Sequence, residues 1–317
     1  MTRRYHRSIS CSFILVAAVL AAAISAGSER RAVAQACCAG GALVTPARLA
    51  LHEDYGVGIQ TRARSNLGSF DPTGRFASSM GAEEILEQDF AASLGISDRG
   101  QASVVLPAVK THREAGALTE WGGGLGDLAL TGRYDFLLAS ESLAWPGVAL
   151  LVGVTFPTGT PPDQAKRRLA TDATGAGTYD ATVGVAVEKT HGHGYAGLTG
   201  WVTHRFDRTV PVSGAPSIRE SFGLRWTALA VGGYIFDSEA ALALYVNVFG
   251  EGDAAIDGAS APHTSLRLTT AGAAAVVPFR DVWRLQGALF GDVMISGLGR
   301  NEPAGVGLNA SLIRVWM

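Results

Sequence analysis

The chain has 317 residues, with 26 Lys and Arg against 28 Asp and Glu, a formal net charge of -2 at pH 7. Such a balance creates no basic field for nucleic acid, so a nucleic-acid partner is set aside. Only 17% of residues are charged, below the roughly 25% of soluble domains, and Gly reaches 40 residues. Ala, Val and Thr are abundant and no long amphipathic helix appears, which points to an all-β protein.

The N-terminus carries an address. Arg3, Arg4 and Arg7 precede an apolar run from Phe13 to Ala26 that is short for a membrane span, and Ala32-Val33-Ala34 is a small-residue cleavage site. Residues 1–34 read as a secretory signal peptide, with cleavage near Ser25 or Ala26 as the alternative, and 35–47 as an N-terminal periplasmic segment. Cys11 leaves with the signal. Cys37 and Cys38 are two adjacent thiols, too few for a metal site; a vicinal or intermolecular disulfide is the plainer reading, with lipidation of Cys37 the alternative. No later run of about 20 apolar residues follows, so a transmembrane helix is not expected.

From residue 48 the chain reads as short period-two runs punctuated by Gly, Asp, Ser and Pro. The expected strands are 48–62, 86–97, 101–112, 124–138, 147–157, 177–190, 193–207, 218–236, 239–250, 263–278, 282–294 and 304–316. Long connections (63–85, 113–123, 158–176, 208–217, 251–262, 295–303) alternate with short ones such as 97–100, 139–146, 191–192, 237–238 and 279–281. Long external loops alternating with short periplasmic turns mark an up-and-down membrane barrel, a rhythm a β-sandwich has no reason to produce. The expected fold is therefore all-β: a closed antiparallel transmembrane barrel of about 12 strands over 48–317. Pro107 predicts a bulge, since each barrel strand donates on both sides.

Alternation assigns the faces. In 124–138, Leu128, Leu130, Tyr134, Phe136 and Leu138 oppose Asp127, Ala129, Thr131, Arg133 and Asp135. The same parity makes Asp127, Arg133, Asp135, Asp180, Glu188, Arg205, Arg219, Arg225, Arg284, Gln286 and Asp292 the lumen-lining candidates. Mixed charge implies a narrow channel crossed by ion pairs or a largely filled interior; the competing view is that these charges only knit the wall. The first long loop, with Glu83, Glu84 and Glu87 near its end, is a candidate plug. Aromatics fall at strand ends in two girdles, with Trp121, Phe136, Trp145, Phe156, Tyr234, Trp283 and Trp316 as membrane-girdle candidates. Arg314 falls on the outward parity near the periplasmic end, where it can snorkel.

Catalytic and cofactor signals are thin. Gly122 to Gly126 lacks the Lys-Ser/Thr of a phosphate loop and runs into a strand, so its glycines are read as structural, with Asp127 bonding loop backbone or facing the lumen. His191 and His193 lack further metal ligands, and His204 has no Ser partner and outward parity. No catalytic residue, metal or cofactor is assigned, and the chain is not read as an enzyme.

The segments Gly124 to Leu137, Val148 to Phe156 with Pro157-Thr158-Gly159, and Gly175 to Asp180 resemble the outer-membrane barrels named for their occurrence beside phenol meta-cleavage pathways. The likeness spans nearly all of the chain after the signal, but its motifs specify architecture more than activity. It implies a bacterial outer-membrane barrel that imports small molecules, hydrophobic ones included. Its implied partners are outer-membrane lipid, the barrel-assembly machinery and an unidentified small solute. One departure is that Trp316 is followed by Met317, whereas such barrels commonly end on an aromatic residue.

Overall fold

The computed structural model describes residues 48–317 except 51–52, 140–141, 143, 213, 215 and 281. The expected signal peptide (1–34), the segment 35–47, Cys37 and Cys38 lie outside the described residues. Among the described residues no helix is long and apolar enough to cross a membrane.

The chain runs β1 (Tyr55–Phe70), β2 (Phe76–Ser97), β3 (Gly100–Ala115), β4 (Leu118–Leu125), β5 (Leu128–Leu137), β6 (Gly147–Phe156), β7 (Asp180–His191) and β8 (Gly194–Arg205). It continues through β9 (Arg208–Val210), β10 (Ile218–Ser221), β11 (Arg225–Ile235), β12 (Ala241–Glu251), β13 (Ala254–Ile256) and β14 (Ala259–Ala261). Last come β15 (Leu266–Phe279), β16 (Trp283–Asp292) and β17 (Pro303–Trp316). The main sheet holds 13 strands, each antiparallel to its neighbours, and a β2–β3 pairing closes it. Because β4 and β5 are two pieces of one stave beside β3, the wall has twelve staves.

Closure removes every strand edge from lipid, and alternation does the rest. Outward side chains such as Phe90, Leu94, Leu130, Val152, Leu198 and Leu244 are exposed, while their chain neighbours turn inward. In water this belt would forfeit about 25 cal/mol for each Å² left wet; acyl chains cover it instead. The outer surface is thus a membrane-spanning one.

Two expected loops are strands of the wall. The region 63–85 is an extended hairpin, β1 reaching Phe70 and β2 beginning at Phe76, with Phe70 paired to Phe76. The Asp71 carboxylate accepts the amides of Thr73 and Arg75 at 2.8 and 2.9 Å, which ties the five-residue turn. Likewise 113–123 is the β3–β4 hairpin, turning at Gly116 with φ +62°. Above the membrane a strand needs no apolar face, so Arg64, Asn66, Glu83 and Glu84 hid the pattern. The first strand also begins at Tyr55, not at 48. With 63–85 built into the wall, it is no plug.

The ladder irregularity expected at Pro107 lies on its partner. Val105 pairs with Ala129 and Ala108 with Leu125, so the β4–β5 stave carries one extra residue there. Gly126 still donates to the Pro107 carbonyl at 2.8 Å. At this break the Asp127 carboxylate accepts from Gly159 (2.9 Å) and Ala176 (2.7 Å), gripping both ends of the connection between β6 and β7. A Cβ on Gly122 would collide with Thr171 of that connection, so the glycine run lets it lie on β4. The connections flanking β11 and β12 pair into a separate external sheet, ordered β14-β13-β10-β9.

Asp127→Ala removes two charge-assisted bonds, each about 1.5–3 kcal/mol. The expected outcome is faster tryptic cleavage at Lys166 to Arg168 with an unchanged heat-modifiable barrel band; an unchanged cleavage rate would show that the grip is dispensable.

Candidate functional site: the barrel lumen

Cross-strand register carries the inward parity around the ring. Arg133 pairs in register with Leu151, Leu151 with Gly184, Gly184 with Trp201 and Trp201 with Thr227, so these residues form one inward row. The interior is built from such rows, stacked from the short-turn end, where both β1 and β17 terminate, to the end bearing the long connections.

Near the short-turn end, Arg133 bonds Asp135 at 2.8 Å and Glu188 at 3.2 Å. Arg48, which precedes β1, joins both carboxylates, Asp135 at 3.1 Å. Its neighbour Leu49 packs against Ile313 and Val315 of β17, and the Leu49 amide donates to Gln101 of β3 at 3.0 Å. Arg284 of β16 donates to the Arg48 carbonyl at 3.1 Å and forms an ion pair with Glu53, both side chains being 2% exposed. The segment before β1 therefore runs through the interior, touching β3, β5, β7, β16 and β17. Removing one partner of such a buried pair costs about 3–5 kcal/mol.

At the opposite end, Arg205 lies 3.7 Å from Asp180 and 3.1 Å from Glu251, which also takes Arg225 at 2.6 Å. Arg64 of β1 bonds Asp292 of β16 at 2.7 Å, and Arg62 bonds Glu87 at 3.0 Å. Glu302, just ahead of β17, lies among these groups. Burial pushes its carboxyl up to about 7, against the pull of Arg225 and Arg64.

Between the two charged ends the wall is softer. Trp201, Tyr245 and Phe290 point inward, and Tyr245 and Phe290 are each laid over a glycine of the neighbouring strand, Gly272 and Gly307. A Cβ at either glycine would strike the ring, so the glycines keep these two aromatics flat against the wall; a Cβ on Gly184 would meet the Cβ of Trp201. With Leu229, Ala274 and Ala288 the three aromatics form an apolar side. Beside it a cavity of about 250 Å³ is lined by Trp201, Leu151, Thr155, Thr182 and Gln101, with Arg48 and Arg133 at its base.

The structure brings together Arg133, Asp135 and Glu188 in one cluster and Asp180, Arg205 and Arg225 in another. Asp292 pairs with Arg64, Arg284 with Glu53, and Gln286 accepts from Ser311 at 3.2 Å. Two candidates stand elsewhere. Arg219 belongs to β10 of the external sheet and pairs with Asp207 at 2.6 Å, while Asp127 grips loop backbone. Arg48, Glu53, Arg62, Arg64, Glu251 and Trp201 were not singled out by sequence. Arg64 fell inside the supposed first loop, and Trp201 shares the inward parity of Arg205 on β8, a face from which only the polar residues were read. Extending the β1 parity past residue 62 would have found Arg64.

Of the girdle candidates, Trp121, Phe136, Trp145 and Tyr234 are exposed, and Phe156, Trp283 and Trp316 half-buried. Trp121 stacks on His112 at 4.3 Å, and Phe136 packs edge-on to Tyr134 at 5.2 Å. Among the described residues no group of three or more His, Cys, Asp or Glu is placed to hold a metal ion. His204 packs against Phe206, and His193 bonds the Ile235 carbonyl at 2.9 Å.

No family model and no curated protein matches the chain. Among solved structures it is similar to an outer membrane channel from Pseudomonas putida F1, with TM-score 0.69, 20% identity, and coverage of 84% of this chain and 98% of that one. The fold is that of this channel. More distant are the β domain of the Bordetella autotransporter BrkA (TM-score 0.49, 9% identity, 83% and 100% covered) and the translocator domain of NalP from Neisseria meningitidis (0.46, 11%, 98% and 99%).

Glu302 keeps its proton in the folded chain at pH values where an unfolded chain, with the ordinary 4.5, has lost it. The stability linked to that proton is therefore full below 4.5 and is lost as pH rises to about 7. Above about 7 the external end gains one negative charge. In planar bilayers under a salt gradient, the reversal potential is expected to move toward cation preference between about pH 6 and 8, and Glu302→Gln to abolish the movement. An identical shift in the variant would assign it to another group.

Proposed function

We propose that the protein is a passive channel or transporter of the bacterial outer membrane that admits small molecules, hydrophobic ones among them. The observation that carries this reading is the cavity beside Trp201: it lies inside a closed barrel, and its lining combines Trp201 and Leu151 with the hydroxyls of Thr155 and Thr182 and the Gln101 amide. An apolar solute gains contact there without stripping the ion pairs at either end. The fold likeness to an outer membrane channel supports it. The residues quoted for the phenol meta-pathway barrels extend the reading to that family, with 1–34 as its export signal, 35–47 as a periplasmic segment, and the assembly machinery and outer-membrane lipid as partners. In this reading the chain does no catalysis, and His204→Ala leaves lipid and ester turnover at background.

A structural barrel without transport is the second reading, favoured by how thoroughly the interior charges neutralise one another, as in the Arg48, Arg133, Asp135 and Glu188 group. Planar-bilayer conductance together with solute uptake into liposomes separates the two. A trace closed at all voltages, with no uptake of either aromatic or sugar-sized solutes, would sink the channel reading.

The segment ahead of β1 is expected to set the size of the opening. Arg48→Ala combined with Glu53→Ala removes its side-chain ion pairs to β5, β7 and β16, and conductance is expected to rise by roughly two-fold or more. Equal conductance would mean that the constriction lies elsewhere.

A further inference from the structure

Arg314 stands apart from the other arginines of the wall. It lies on β17, in register with Val57 of β1 on one side and Trp283 of β16 on the other, with its side chain exposed on the lipid-facing surface. Its guanidinium carbon is 4.7 Å from the ring centroid of Trp316 and 5.6 Å from that of Trp283. Tyr55 stacks on Trp316 at 4.8 Å and Phe279 on Trp283 at 6.2 Å. The result is a continuous band, Phe279, Trp283, Arg314, Trp316 and Tyr55, across four adjacent staves at the short-turn end.

Charge distinguishes this band from the interior. Arg62, Arg64, Arg133, Arg205, Arg225 and Arg284 each meet a carboxylate. Arg314 meets aromatic faces and, among the described residues, no carboxylate. A guanidinium lying over ring faces has its charge engaged without spending its N–H donors on a carboxylate, which leaves them for a planar pair of acceptor oxygens. Interfacial Trp and Tyr mark the headgroup level, so the anions available to that edge are lipid phosphates. One row deeper, Ile59, Leu312 and Leu285 adjoin in register and offer an apolar track for an acyl chain.

We propose that Arg314, held between Trp283 and Trp316, binds the phosphodiester of one phospholipid of the periplasmic leaflet. This goes beyond the channel reading and does not depend on it. The phosphate takes two guanidinium N–H groups, and an acyl chain follows Ile59, Leu312 and Leu285. Recognition is of the phosphodiester and not of a particular headgroup. Because the band joins β16, β17 and β1, the lipid braces the seam where the last strand meets the first.

The test is native mass spectrometry of the full barrel in a maltoside detergent, titrated with dioleoylphosphatidylglycerol, dioleoylphosphatidylethanolamine, dioleoylglycerol or inorganic phosphate. Both phospholipids are expected to be retained singly, and Arg314→Gln to weaken retention by about tenfold. Arg314→Lys is expected to recover it only in part, since an ammonium lacks the flat face and the paired donors. Dioleoylglycerol should not be retained, and inorganic phosphate should not displace the lipid. Should Arg314→Gln fail to fold, Trp283→Leu keeps the cation and the apolar surface and is still expected to lower retention. Equal retention by Trp283→Leu and wild type, equal retention of dioleoylglycerol, or displacement by inorganic phosphate overturns the proposal. A supporting readout is the temperature at which the folded band converts on electrophoresis: phosphatidylglycerol raises it in wild type and not in Arg314→Gln.

Discussion

A strand in lipid has no water to satisfy its N–H and C=O groups, so every edge must meet another edge. From that requirement come the closed ring, the antiparallel register and the strict alternation of faces. β1 meeting β17 from Tyr55 with Trp316 to Ser69 with Pro303 is the pairing that closes the chain on itself. The lumen is a by-product of the closure. Once the outward set is given over to Leu, Val and aromatic residues, the inward set is free to carry Arg, Asp and Glu, and those charges find one another because the ring holds them a few ångströms apart.

The interior is divided by chemistry along its axis. Charged groups gather at both ends and the apolar side lies between them. The end near the short turns is crossed by the segment before β1, anchored through Arg48, Leu49 and Glu53 to staves on opposite sides of the ring. The other end holds Arg205, Arg225, Glu251 and Glu302, a set whose net charge changes with pH. Glycines beneath Tyr245 and Phe290 explain part of the unusual glycine content: a wall that carries large rings on its inner face stays open only where the neighbouring strand gives up its side chain.

Where the membrane acts on the chain, the sequence was readable. Leu128 to Asp135, Asp180 to Glu188 and Trp283 to Asp292 alternate because one face must be apolar, and their observed register agrees with that alternation; past Asp135 a register shift breaks it, and Phe136 and Leu137 are both exposed. Beyond the membrane the same constraint lapses. Residues 63–70 and 76–85 are as extended as any stave, yet Ser, Glu, Arg and Gly on both faces leave no period to detect, and they read as a loop. Interior partners were legible by parity but not by identity. Arg133 and Asp135 were named together because they share a strand; Arg48 and Glu188, 140 positions apart, meet only through the fold. Arg219 shows the limit from the other side, since the polar parity of a long run was carried into a stretch that leaves the wall for the external sheet.

The segment before β1 is tied to the barrel it occupies by its own chain. Residues 48–54 are followed directly by Tyr55 at the rim, and that stretch reaches at most about 24 Å when extended. Its grip on β5, β7, β16 and β17 therefore narrows the bore beside the strand ends it precedes, and the same ties that hold it there brace the ring from within, as a spoke braces a rim.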